Sequence, residues 1–115
     1  MEIFVFEKNL MIGVLLDFYG ELLTDRKRLA LDMYYNEDLS LAEIASEMGI
    51  SRQGVRDMIK KAQDELVFYE SKLGLAKKFS DTEKEITVLA DMLDAIDIPA
   101  EIRQQIEKIT VILKA

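Results

Sequence analysis

Apolar side chains recur along this chain at three- and four-residue steps rather than at alternate positions. Such spacing is typical of helices that bury one face. The first clear stretch runs from about Glu7 to Leu23. Proline, which interrupts helices, occurs only once in all 115 residues. We therefore expect an all-α fold with little or no sheet. Two adjacent stripes are predicted for the first helix: Leu10, Val14, Phe18 and Leu22, with Met11, Leu15, Tyr19 and Leu23 beside them.

Residues typical of helix starts and stops divide the next part of the chain. Thr24 is suited to cap a second helix running to about Tyr35, because its hydroxyl can accept a hydrogen bond from an unpaired first-turn amide. Ser40 and Glu43 form a capping box for a third helix, which we expect to end before Gly49. The predicted inward side chains of the second helix are Leu29, Ala30 and Met33.

A long fourth helix is predicted between Ser51, its cap, and Gly74. Its apolar positions repeat at alternating four- and three-residue steps over about three heptads. Two interpretations stay open, namely packing against the chain's own helices and a seam between two copies. These positions are Val55, Ile59, Ala62, Leu66, Tyr69 and Leu73.

The C-terminal third is expected to hold two more helices. A second capping box, Ser80 with Glu83, predicts the start of one, and Pro99 suits the first turn of the last. The stretch from Gly74 to Phe79 is then the only loose joint. We infer a helix-turn-helix domain over residues 1–73 and a C-terminal extension over residues 74–115, packing on that domain or on a dimer partner.

The segment from Leu41 to Lys60 is the most informative part of the sequence. Its two helices are joined by a turn too short for a relaxed antiparallel hairpin, as in a helix-turn-helix motif. A small residue, Ala45, a turn glycine, Gly49, and a cap, Ser51, occur in the register that the motif requires. DNA binding is the favoured interpretation, and a purely structural helical hairpin is the alternative.

In a DNA-binding motif of this kind, the helix after Ser51 lies in the major groove. Arg52 and Arg56 have the paired donors that guanine accepts, and Gln53 suits adenine. Ser51 and the first-turn amides suit a phosphate. The alternative for each basic residue is a solvated helix face. The predicted DNA-binding residues are Ser51, Arg52, Gln53, Arg56, Lys60 and Lys61.

Charge supports this interpretation and complicates it. Residues 51–62 carry a local charge of +3 in a chain of net charge -7. A second basic run, Arg26 to Arg28, can reach a phosphate or lie on a solvated surface. With a pI of about 4.6, one copy should bind DNA modestly and with strong salt dependence, whereas a homodimer would double the contacts. Acidity equally fits a protein partner.

Composition limits the remaining chemistry. The chain lacks cysteine and histidine, which removes thiolate and imidazole catalysis and the usual zinc ligands. We expect no metal, no cofactor and no enzymatic activity, because carboxylates such as Asp91 and Asp94 fit a solvated surface. No apolar stretch is long enough to span a bilayer, and no secretory signal is evident, so a cytoplasmic location is expected.

The run YYNEDLSLAEIASEMGISRQGVRDMIKKAQDEL resembles the helix-turn-helix of sigma-factor region 4. The longer run from Phe18 to Lys60 looks like the YlxM family of small bacterial proteins. That resemblance implies double-stranded DNA binding, regulation, and a link to the signal recognition particle pathway, beside whose genes the family's gene lies. It also implies reading positions at Ser51, Arg52 and Gln53, with Gly54 in place of a common alanine. A module that docks a particle component or RNA polymerase without specific DNA binding is the alternative.

Overall fold

The computed structural model describes residues 9–114, in which six α-helices form and no strand occurs. This confirms the all-α prediction. The chain divides after Gly74 into two compact units, which we call the N-terminal unit and the C-terminal unit. The helices are α1 (Leu10–Tyr19), α2 (Asp25–Tyr35), α3 (Leu41–Met48), α4 (Arg52–Leu73), α5 (Leu75–Asp94) and α6 (Ala100–Lys114), and a 3-10 turn, Gly20–Leu22, follows α1.

Helix α4 is the centre of the N-terminal unit. Val55, Ile59, Ala62 and Leu66 are all 0% exposed, because α1, α2 and α3 each pack against this helix. Burying a valine, isoleucine or leucine side chain stabilises the fold by about 1.5–3 kcal/mol. The apolar repeat of α4 is therefore covered by the chain's own helices as far as Leu66, and the predicted last position, Leu73, is exposed.

The buried face of α1 was predicted only in part. Leu15 and Tyr19 are buried as expected, but Ile12 and Leu16 accompany them. The helix begins at Leu10 with Asn9 as its cap, and the predicted start at Glu7 lies outside the described residues. The prediction is wrong for four side chains, which are exposed: Leu10, Val14 and Leu22 of one stripe and Met11 of the other.

The rotation of α1 is fixed by polar contacts that no periodicity reveals. The Tyr19 hydroxyl donates to Glu70 Oε1 on α4 over 2.5 Å, and the Tyr35 hydroxyl accepts from the Gln63 amide over 2.7 Å and from the backbone N–H of Asn9 over 3.3 Å. Apolar residues surround most of α1, so its pattern allowed either side to be inward. The Tyr19 bond joins one side of α1 to α4, and the Asn9 bond joins its start to α2.

Helix α2 is also rotated relative to the prediction. Leu31 is fully buried and Leu29 is exposed, whereas Ala30 and Met33 are buried as expected. Lys27 Nζ forms an ion pair with Glu65 Oε2 of α4 at 3.0 Å, on a partly shielded surface. Lys27 and Leu31 are one turn apart on the side of α2 that faces α4, and Leu29 is left on the outside.

The C-terminal unit contains α5 and α6. The predicted start at Ser80 is wrong, because α5 begins at Leu75, directly after Gly74 ends α4 in the left-handed conformation at φ 63°. Ser80 thus lies inside a helix that its capping pattern was expected to start. An ion pair between Lys77 and Asp81, 2.7 Å long and one turn apart, supports this first part of α5.

The last helix is closer to the prediction. Helix α6 begins at Ala100, and the Pro99 carbonyl accepts the Ile102 amide over 3.1 Å. The turn before it is closed by an ion pair of 2.6 Å between Arg103 and Asp94. Among the described residues of this unit only Ala76 is buried. No helix within residues 9–114 combines the length and the apolar character needed to cross a membrane.

Candidate nucleic-acid interface

The turn between α3 and α4 fixes the angle between these two helices. Gly49 has φ 68° and ψ 34°, a left-handed conformation, and the Ile50 amide donates to the Ala45 carbonyl over 3.1 Å. A glycine adopts this conformation without a Cβ penalty. Ala45 is buried, so α3 and α4 approach each other over a small side chain. The predicted turn glycine is confirmed.

Helix α3 begins with the predicted capping box. The Glu43 amide donates to Ser40 Oγ over 3.1 Å, and Glu43 Oε1 accepts the Ser40 amide over 3.0 Å. The bond from the Ser40 backbone, followed by that from its side chain, lowers the pKa of Glu43 below its usual value of 4.5. These bonds satisfy amides that a short helix leaves unpaired.

The start of α4 is capped by Ser51, as predicted. Ser51 Oγ accepts the Gly54 amide over 2.9 Å, and the Ser51 carbonyl accepts the Val55 amide over 3.0 Å. The amides of Arg52 and Gln53 therefore have no acceptor within the helix. No acidic residue lies in this first turn, so the positive end of the helix dipole stays available to an anion.

Gly54 lies directly against the cap. A Cβ at this position would stand 3.2 Å from Ser51 Oγ, closer than ordinary van der Waals contact. The glycine that the resemblance marks as a departure therefore leaves the cap hydroxyl uncrowded. It also removes a side chain from the first turn, which gives a ligand closer access to the backbone there.

The structure places the other predicted readers around α4 rather than in one cluster. Arg52, Gln53, Lys60 and Lys61 are exposed, and Arg56 is half-buried. At about 100° per residue, Arg52 and Arg56 share one flank of the helix and Lys61 lies on the opposite flank. Gln53 and Lys60 lie between the flanks, on the side opposite the buried residues.

Two side-chain pairs on that outward side were not predicted from the sequence. Gln53 Nε2 donates to Asp57 Oδ1 over 2.9 Å, and Lys60 Nζ lies 3.7 Å from Asp64 Oδ2. Both pairs are four residues apart, the spacing at which helical neighbours meet, so this signal was present in the sequence. Residues 51–65 contain three acidic and four basic residues, so their local charge is +1, compared with +3 for residues 51–62.

The second basic run lies on α2. Lys27 is engaged with Glu65 and so acts within the fold, whereas Arg26 and Arg28 are exposed. The run is thus divided between a packing contact and the surface. Within residues 9–114 no cluster of three or more carboxylates is arranged to hold a metal ion.

A short helix, α3, is followed after a glycine turn by a long, capped helix, α4; α2 packs against both, and α1 packs against α4. This arrangement defines a helix-turn-helix protein. Residues 6–109 match the model of the UPF0122 family, described as "Putative helix-turn-helix protein, YlxM / p13 like". The chain belongs to this family. The resemblance found in the sequence is thereby confirmed, and the match extends through the C-terminal helices, farther than the sequence motifs reached.

Bacterial relatives cover between 73% and 90% of the chain. A UPF0122 protein of Clostridium kluyveri is 44% identical over 103 residues, which are 88% of this chain and 93% of the relative. One of Desulforamulus reducens is 43% identical over 103 residues, 90% of this chain and 87% of the relative. One of Caldanaerobacter subterraneus is 49% identical over 84 residues, 73% of this chain and 72% of the relative.

Proposed function

We propose that this protein binds double-stranded DNA by placing the first turns of α4 in the major groove. The observation that carries the proposal is the start of α4, where a fixed turn and a serine cap present Arg52 and Gln53 to solvent. Arginine can donate two parallel hydrogen bonds to guanine, and glutamine can pair with adenine. The proposed role needs no catalytic step and places the protein in the cytoplasm, where bacterial DNA lies.

The two flanks of α4 suit the two walls of a groove. Arg56 on one flank and Lys61 on the other can approach phosphates of opposite strands, while Lys60 lies between them. The Ser51 hydroxyl and the first-turn amides can bind a further phosphate. Contacts of this kind position the helix, and Arg52 and Gln53 supply the direct reading of base edges.

Two finer roles form part of this proposal. The first is regulation of transcription, the usual consequence of binding at a defined site by a helix-turn-helix protein. The second is a link to the signal recognition particle pathway, which rests on the resemblance to the YlxM family. A pair of copies on a two-fold symmetric site would strengthen both by doubling the phosphate contacts.

The test of DNA binding is a double substitution, Arg52→Ala with Arg56→Ala. The full-length protein is first used to select a site from random-sequence DNA, and affinities for that site are then measured. Loss of the Arg52 base contact should weaken binding to the selected site by about 1–3 kcal/mol, and loss of the Arg56 phosphate contact should weaken binding to all sequences about equally. Circular dichroism checks that the variant is folded, since Arg56 is half-buried.

A matched control removes the same charge elsewhere. Lys84→Ala with Lys108→Ala changes two exposed lysines of the C-terminal unit. We expect the control to bind the selected site nearly as tightly as the original protein. Equal losses in the two variants would show that net charge alone governs binding, and no loss in the arginine variant would rule out the proposed readers.

The C-terminal unit favours a second candidate function, docking of a protein partner. Met92 of α5, Ile96 after that helix and Ile112 of α6 are 64%, 58% and 74% exposed, and exposed apolar side chains of this kind are typical of docking surfaces. The proposed partners are a signal recognition particle component or RNA polymerase. Recovery of either at physiological salt, lost on Met92→Lys with Ile112→Lys, would support docking. Recovery of neither would count against it.

A further inference from the structure

Asp57 lies at the centre of the surface that α4 presents to solvent. Counting about 100° per residue, Asp57 is roughly opposite the buried side of Val55 and Ile59, and Gln53 precedes it by one turn on the same side. Both side chains are exposed, and Gln53 Nε2 donates to Asp57 Oδ1 over 2.9 Å. A helix that enters the major groove here brings this carboxylate to the base edges.

A carboxylate in a DNA groove is unfavourable unless a donor meets it. An ionised aspartate only accepts hydrogen bonds, and the phosphates on both walls repel it. In the major groove the available donors are the amino groups of cytosine and adenine. A carboxylate that loses water and finds neither group is left with an uncompensated charge.

The pattern of neighbouring groups favours cytosine over adenine. The adenine amino group lies between two acceptors, its own N7 and the thymine O4, and both oppose a carboxylate. The cytosine amino group has guanine acceptors on one side only. Gln53 stands beside Asp57 with an amide that can donate to those acceptors. The Asp57 carboxylate can therefore accept from the cytosine amino group while the Gln53 amide donates to the acceptors of the guanine paired with it.

We propose that Asp57, positioned by Gln53, is a specificity-determining residue that accepts a hydrogen bond from the amino group of a cytosine in the major groove. This inference rests on the proposed DNA-binding function and names one base that the site must contain. It also gives Asp57 a second effect. On DNA without a cytosine at that position the carboxylate repels, so the protein gains specificity by binding other sequences less well.

The test is a selection from random-sequence DNA with the full-length protein and two variants. Asp57→Asn keeps the shape of the side chain and removes the charge. Asp64→Asn is the matched control, since it removes the same charge from the same side of α4 two turns farther along. Affinities are then measured on the site selected by the original protein and on copies with one base pair changed.

The original protein should select a site with a cytosine–guanine pair at one position within it, and changing that pair should weaken binding about tenfold, at the low end of typical mismatch costs. With Asp57→Asn this tenfold preference should shrink, because the amide oxygen can still accept from cytosine but the new NH2 group can donate to the acceptors of other bases. Affinity for non-matching DNA should rise, because the charge is removed. Asp64→Asn should keep the preference.

The outcomes separate the two proposals. Selection of a defined site whose preferences are the same with Asp57→Asn as with the original protein would overturn the role of Asp57 and leave DNA binding intact. A selected site without a cytosine preference would also overturn the role of Asp57. So would a preference that is reduced equally with Asp57→Asn and with Asp64→Asn. Enrichment of no site at any salt concentration would overturn the proposed function itself, and this inference with it.

Discussion

Gly49 sets the angle between α3 and α4 through its left-handed backbone conformation. A Cβ at this position would have no heavy atom within 4 Å, so a substitution there tests the backbone alone. With φ at 68°, Gly49→Ala should cost about 1–2 kcal/mol of stability, because left-handed backbone strains an L-residue. Urea unfolding followed by circular dichroism measures the loss.

Gly49→Asn is the control for backbone strain. Asparagine enters the left-handed region more readily than alanine, so its loss should be smaller. Equal costs for the two variants would mean that the conformation of the turn is not what stabilises it. We expect the folded fraction of both variants to bind DNA with unchanged affinity. A lower affinity would mean that the angle of α4 has changed.

Single residues of the candidate interface were predictable where their role is local. The capping role of Ser51 and the turn at Gly49 follow from the chemistry of a hydroxyl and of a missing Cβ, and the structure has both. The pairing of Gln53 with Asp57 was not predicted, although its spacing is visible. Spacing allows such a pair, but the choice between this bond and solvent depends on side-chain rotamers that the sequence does not specify.

Helix α3 has eight residues, so its ends matter more than its interior. Removing the cap with Ser40→Ala should cost about 1 kcal/mol, because the Glu43 amide loses its acceptor, Ser40 Oγ. Differential denaturation against the original protein at neutral pH measures this. A cost near zero would show that water replaces the Ser40 hydroxyl without loss.

The other half of the capping box predicts a pH dependence. The pKa of Glu43 is lowered in the folded state by its bonds to Ser40, so its contribution to stability is present above about 4.5 and is lost as the pH falls through the lowered value. Glu43→Gln removes that titration. The stability gap between the original protein and this variant should be larger at pH 7 than at about pH 3.5.

Comparing the gap between two proteins, rather than the stability of one, isolates the contribution of the substituted residue. Asp81→Asn is a useful second variant, because Lys77 lowers the pKa of Asp81 through a hydrogen bond within α5. Its gap should shrink in the same direction as the pH falls. A gap that grows on acidification for Glu43→Gln would contradict the capping-box bond.

At the scale of whole helices, predictability depended on how one-sided each helix is. The buried side of α4 was predicted as far as Leu66, because its other sides are polar. The pattern of α1 offered two apolar sides, and contacts from Tyr19 and Tyr35 chose between them. The predicted start at Ser80 failed because residues 75–79 contain no helix breaker, so α5 simply begins earlier.

For the whole molecule, the salt dependence of DNA binding reports how many basic residues contact the DNA and how many copies of the protein are bound. Four basic residues of α4 are the proposed phosphate and base contacts, so one copy should give a slope of log affinity against log salt no steeper than about −4. Two copies on one site should give about −7. A salt series on the selected site measures the slope, and sedimentation of the complex counts the copies independently.

The two units should differ in their ability to fold alone. The N-terminal unit buries four consecutive inward positions of α4 beneath three helices, whereas α6 has no buried residue and α5 has only Ala76. Helices of this length are marginal in water without packing, and a chain of about 40 residues seldom supplies enough. A fragment of residues 1–74 should therefore unfold cooperatively in urea, and a fragment of residues 75–115 should show little helicity at low concentration. Helicity of the shorter fragment that rises with its concentration would mean that its apolar side chains are covered by a second copy, whereas high helicity in the monomer would contradict the prediction.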